Sequence, residues 1–215
     1  LIGRVGFGGF TPGGVGAIDD VLATALAELR EGRMVVTCDR DGAGAQLVVA
    51  AEAADAEAVN FMAREARGLI CLALTPERCD ELGLELMQDG GTPDTIGKRF
   101  TVSIEACEGV TTGISAADRA RTIAVAIDPA AGRDDLVVPG HVFPLRTVPG
   151  GLLERRGAAE AALELMRGAG LHPAAVICDI INDDGAEARR PELDAYCERH
   201  GLPLVSIPRL LDRLR

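Results

Sequence analysis

The stretch "FTVSIEACEGVTTGISAADRARTIAVAI" (residues 100–127) contains a change of period. From Phe100 to Ala106 the β-branched residues alternate, which predicts a strand. A glycine- and threonine-bearing turn follows. Ser115 and Asp118 then have the spacing of a capping box with Asp in place of Glu, which predicts a helix opening at Ser115. Strand, turn and capped helix in succession point to interleaved strands and helices.

Working outward, the same alternation holds almost everywhere. Upstream, Ile18, Val21, Leu22, Ala25, Leu26 and Leu29 form one apolar stripe of an amphipathic helix that Gly32 can end. Strands are expected at "MVVTC" (34–38), "QLVVAA" (46–51) and "LICLAL" (69–74), and a helix at "DAEAVNFMAREA" (55–66). A short helix is opened by Thr75 with Pro76 at its first position. Downstream, "DLVVP" (135–139) and "HVFPLR" (141–146) read as a strand and a loop. "AAEAALELMRGAG" (158–170) is a helix and "AAVICDI" (174–180) a buried strand. "RPELDAYCERHG" (190–201), "LPLVSI" (202–207) and "PRLLDRLR" (208–215) read as helix, strand and closing helix. The opening "GRVGFGGFTPGGVG" is glycine-dense without a period and does not match a phosphate-binding loop. The expected organisation is a glycine-rich arm over 1–16 and one α/β (α+β) domain over 17–215, a mixed sheet flanked by helices.

Composition narrows the function. The 215 residues are 47% hydrophobic, ample for a core, and the net charge of −11 repels a polyphosphate backbone, so nucleic acid is not an expected partner. No apolar run approaches the roughly 20 residues that cross a bilayer and none resembles a secretory leader, so no membrane partner and a cytoplasmic location are expected. The six cysteines form no CxxC pair, and most sit in apolar or strand-like contexts, as buried reduced thiols do.

Several segments resemble the 3,4-dihydroxy-2-butanone 4-phosphate synthase family of riboflavin biosynthesis: "LREGRMVV", "NFMAREARGLICLAL", the opening stretch through "RTI", "DLVVPGHVFPLR", "GLLERRGAAEAALELMRGAGLHPAAVICDIINDDG" and "HGLPLVSI". They run in family order from about Ile18 to the C-terminus, and "GVTTGISAADR" and "PGHVFPLR" are the most specific. The resemblance implies that family's fold, a homodimer, and a reaction that removes one carbon of ribulose 5-phosphate as formate. That chemistry begins by abstracting a proton beside a carbonyl. In the family two magnesium ions stabilise the enediolate, held by a glutamate of an acidic loop and a histidine of R-x-G-H-T-E.

The resemblance also marks departures. In "CDRDGAGAQ" (38–46) an ungapped match puts Gly42 at the family's metal-binding glutamate and Gln46 at its loop aspartate, whereas sliding by one residue makes Asp41 a shortened metal ligand. In "RRGAAEA", Ala158 stands at the metal histidine and Ala159 at the phosphate-binding threonine. Lys98 and Arg99 occupy a G-T-x-F motif and add two cations. Other positions match: His141 as a proton shuttle, Asp179 in place of an essential glutamate, and Arg155 as a phosphate contact.

The site expected from these readings has His141 and Asp179 as acid and base, with Arg155, Arg156, Lys98, Arg99, Asp118 and Thr112 around the substrate. Taken as bare residues, His141 and Asp118 also read as a packed histidine and a helix cap. The leading expectation is a divergent enzyme that enolises a small anionic carbonyl or phosphorylated substrate, with no tightly bound cofactor and magnesium at most weak. The alternatives are the ordinary synthase with weak magnesium and an inactive binding homologue.

Overall fold

The computed structural model describes residues 15–39, 42–87 and 98–215, so the arm through residue 14 and the candidate ligand Asp41 lie outside the described residues. Helix α1 (Val15–Arg30) leads into β1 (Val35–Cys38) and β2 (Gln46–Ala50). Helix α2 (Ala56–Phe61), capped by the Asp55 carboxylate, runs into one π-helical turn (Met62–Ala66) before β3 (Arg67–Leu74). Helix α3 (Pro76–Glu81) is capped by Thr75, as Pro76 at its first turn predicts. Strand β4 (Ile104–Ala106), α4 (Ala116–Ile127), β5 (Leu136–Arg146), α5 (Gly151–Glu154) and α6 (Ala158–Ala169) follow. The chain closes with β6 (Ala175–Ile180), α7 (Glu192–His200), β7 (Leu204–Ser206) and α8 (Ile207–Arg213).

The seven strands form one mixed sheet in the order β4-β5-β3-β6-β2-β1-β7, with β3/β5 and β1/β7 parallel and the other pairs antiparallel. Alternation along each strand sends side chains to two cores. Val176, Cys178 and Ile180 pack with Met62, Ile123 and Tyr196, beneath α2, α4 and α7. Ala175 and Ile177 pack with Leu29, Leu163, Leu165 and Leu211, beneath α1, α6 and α8. The expected mixed sheet flanked by helices is therefore a three-layer sandwich.

Two expectations are corrected. "HVFPLR" is not a loop: β5 is one strand of 11 residues. Its first half pairs with β4 and its second with β3. Pro139 and Pro144 argue against a strand, but Pro144 contributes its carbonyl, which accepts from Thr101 N at 3.0 Å. Conversely, "FTVSIEA" is a strand only over its last three residues, and within them the register slips between Ile104 and Glu105. Phe100 and Thr101 make isolated bridges to Leu145 and Leu86 instead. The slip redirects Glu105, with consequences for the site.

Candidate active site

One row across the sheet collects the chemistry. Asp179 of β6 pairs with Gln46 of β2 on one side. On the other side β3 passes with Gly68 packed so tightly on Asp179 that a Cβ there would collide with the Asp179 backbone. Cys71 of β3 is level with Phe143 of β5, and continuing that parallel register brings Leu69 beside His141. Gln46, Leu69, Asp179 and His141 share the parity of Val48, Cys71, Ile177 and Phe143, so all four point to the face packed by α6. Leu69 is 41% exposed, which makes it an open apolar floor between His141 and Asp179. These two stand two strand spacings apart, about 10 Å.

At one end of the row, Lys98 Nζ lies 2.5 Å from Asp179 Oδ2, and Gln46 Nε2 donates to Asp179 Oδ1 at 2.9 Å. Both carboxylate oxygens are thus engaged, one by a cation and one by an amide. Burial pushes the neighbouring Cys71 thiol up to about 12, so it stays protonated at neutral pH and is no nucleophile.

At the other end, His141 Nδ1 lies 2.7 Å from Glu105 Oε2. Glu105 is buried, and its second oxygen accepts from Thr122 Oγ1 at 2.9 Å. Ser115 caps α4 by accepting from Asp118 N at 3.0 Å, so the expected box is half formed. The Asp118 carboxylate is held chiefly by the preceding loop. It accepts from Thr111 Oγ1 (2.8 Å), Thr111 N (3.2 Å) and Gly113 N (3.0 Å), bracing the loop before the helix. The Thr111 hydroxyl, then the two backbone donors, hold this carboxyl below its ordinary value despite burial. Gly113 has φ +87°, and a Cβ there would collide with the Glu105 carboxylate and the His141 ring.

Of the other expected residues, Arg155 donates from Nη1 to Glu160 Oε2 at 2.7 Å, and Glu160 is fully buried at the start of α6. Arg156 is exposed beside it. Arg99 donates to the Arg146 carbonyl at 3.3 Å, and Thr112 is exposed on the braced loop. The sequence reading missed Glu105 and Thr122. The available signal was an acid between Ile104 and Ala106, both of them buried, but a single strand pattern does not reveal which helix faces it.

A profile of the 3,4-dihydroxy-2-butanone 4-phosphate synthase family matches residues 23–213. The chain belongs to that family. It is 50% identical over 195 residues to the 3,4-dihydroxy-2-butanone 4-phosphate synthase of Pseudomonas syringae pv. tomato, covering 89% of this chain and 52% of that protein. It is similar to the crystal structure of RibBX, a two-domain 3,4-dihydroxy-2-butanone 4-phosphate synthase from A. baumannii, with TM-score 0.82 and 45% identity over 88% of this chain and 56% of that one. A synthase solved in complex with two magnesium ions superposes with TM-score 0.83 at 38% identity, covering 90% of this chain and 95% of that chain. The chain spans about half the length of the first curated relatives it matches.

A family site that takes magnesium invites a fit test on this chain's own donors. Among the described residues no three His, Cys, Asp or Glu side chains converge. Asp179 is engaged by Lys98 and Gln46, Ala158 opens α6 with a methyl group, and Gly42 and Gly44 have no side-chain donor. These described residues do not fit a chelated divalent cation, which wants several free oxygen or imidazole ligands.

Proposed function

We propose that this domain carries out its family's reaction on ribulose 5-phosphate, yielding 3,4-dihydroxy-2-butanone 4-phosphate and formate. The two products together contain all the atoms of the substrate, so no oxidant or co-reactant is required. What carries the reading is the open row with an imidazole at one end and an ammonium-carboxylate pair at the other, in a chain 50% identical to named synthases. In the first step His141 Nε2 takes the proton from the carbon beside the carbonyl, and the electron pair moves onto the carbonyl oxygen. The Lys98 ammonium faces the enediolate so formed, and Arg155 and Arg156 at the start of α6 face the phosphate. Fixed cations stabilise such an oxyanion when they are preorganised and partly dried. Lys98 is 21% exposed and held by Asp179, which meets that condition. At a later step the His141 imidazolium gives the proton back, and Asp179 keeps the Lys98 ammonium charged and in place. We also infer a homodimer, with the exposed Val137 and Val138 next to His141 on β5 as part of its interface, and a cytoplasmic protein. Among the described residues no helix is long and apolar enough to cross a membrane.

A second reading has specific support. The resemblance puts Gly42, Gln46, Ala158 and Ala159 where family members carry metal or phosphate ligands, and it keeps His141. This pattern favours enolisation of a different small anionic carbonyl compound. One experiment separates the two: ribulose 5-phosphate in D2O, with and without magnesium, followed by NMR. Deuterium uptake with formate release supports the family reaction. Uptake without formate supports the second reading. Neither, in the presence or absence of the metal, refutes the acid-base assignment on this substrate.

A further inference from the structure

We infer that Glu105 is a positioning residue, which fixes His141 in its Nδ1-protonated tautomer and leaves Nε2 as the only nitrogen that exchanges protons with a substrate. The inference rests on His141 being the base assigned above. Glu105 Oε2 lies 2.7 Å from His141 Nδ1 and also accepts from His141 N at 3.3 Å. A carboxylate offers only lone pairs, so a bare Nδ1 at that distance would set lone pair against lone pair. Nδ1 therefore carries hydrogen in both charge states of the ring. The Glu105 side chain is 10% exposed and the His141 side chain 42% exposed, so water does not replace the acceptor, while the imidazole stays accessible.

The carboxylate is itself held. Thr122 Oγ1 accepts from Ala106 N at 3.1 Å and donates to Glu105 Oε1 at 2.9 Å, which ties the end of β4 to α4. Gly113 closes over the pair from the braced loop, where any side chain would displace both partners. The slip between Ile104 and Glu105 is what turns this acid toward the β5 histidine. An imidazole held by a buried carboxylate through Nδ1, with Nε2 free, is the arrangement a general base needs. It recurs on unrelated folds, and replacing the orienting acid by its amide, which leaves the wrong tautomer in an intact geometry, costs about 10⁴-fold in kcat.

The test uses protein labelled with 15N at its three histidines, whose ring nitrogens distinguish the two tautomers in long-range proton-nitrogen spectra. In the unaltered protein His141 should show protonated Nδ1 and bare Nε2 at neutral to alkaline pH. In Glu105→Gln the side chain offers Nδ1 an N–H as readily as a carbonyl. The Nε2-protonated form should then become populated, and kcat for deuterium exchange should fall roughly 100-fold with KM changed less than threefold. Thr122→Val should shift both readouts in the same direction by less. The assignment is overturned if His141 in the unaltered protein is mainly Nε2-protonated, a measurement that needs no variant to fold. It is also overturned if Glu105→Gln leaves the tautomer or kcat within twofold of the original. If the unaltered protein exchanges no deuterium, the proposed reaction falls, and the tautomer spectrum still decides the role of Glu105.

Discussion

The two ends of the candidate row are built in opposite ways. Around His141 each group is held by another: Thr122 holds Glu105, Glu105 holds the imidazole, and Asp118 holds the loop that covers them. Around Asp179 one lysine and one glutamine occupy a carboxylate. The first end is a network whose members cannot change singly without leaving a buried polar group unpaired. The second, among the described residues, holds its carboxylate by one ion pair and one amide hydrogen bond. In the reading proposed above, proton transfer and positive charge therefore reside on different parts of the sheet.

The contrast can be broken most directly at the first end. His141→Asn removes the base assigned above and should lower deuterium exchange by about 10²- to 10⁴-fold with folding unchanged. Exchange within tenfold of the original would show that the base lies elsewhere. At the second end, Lys98→Met leaves Asp179 with the Gln46 amide as its side-chain partner among the described residues. We expect roughly 100-fold lower turnover, and about 1–2 kcal/mol lower stability in urea, because a half-buried carboxylate has lost its cation. Unaltered turnover would remove Lys98 from the chemistry.

A gain-of-function pair sharpens the comparison further. Lys98→Thr combined with Ala158→His takes the ammonium off Asp179 and puts an imidazole at the first turn of α6. Manganese binding, read by electron paramagnetic resonance, should tighten by about tenfold or more over the original chain. No tightening would mean that the second end is not a metal site in waiting.

The smallest effect concerns pH. Hydrogen bonds from Thr111 and Gly113 lower the folded-state pKa of Asp118, so its contribution to stability is fully present above the unfolded value near 3.9 and disappears as pH falls through the folded value. Gly113 amide protection should therefore hold at pH 5 and decline only below about pH 4. Loss of protection between pH 5 and 6 would contradict the assignment.

The alternation of strands and helices, the Ser115 and Thr75 caps and the two faces of the core were all legible in the chain, because each depends on residues a few positions apart. His141 and Asp179 were legible as candidates, through the family resemblance rather than from spacing. The single strand β5 was not, since two prolines mask a strand whose hydrogen bonds come from neighbours far along the chain. Nor was Glu105: its role depends on a register slip and on a threonine 17 positions away. The amino-acid order alone determined which residues could be buried, where helices begin and which acids and bases were on offer. Only the folded sheet decided which of them meet, because lateral strand pairing joins residues with no local signal that they will be neighbours.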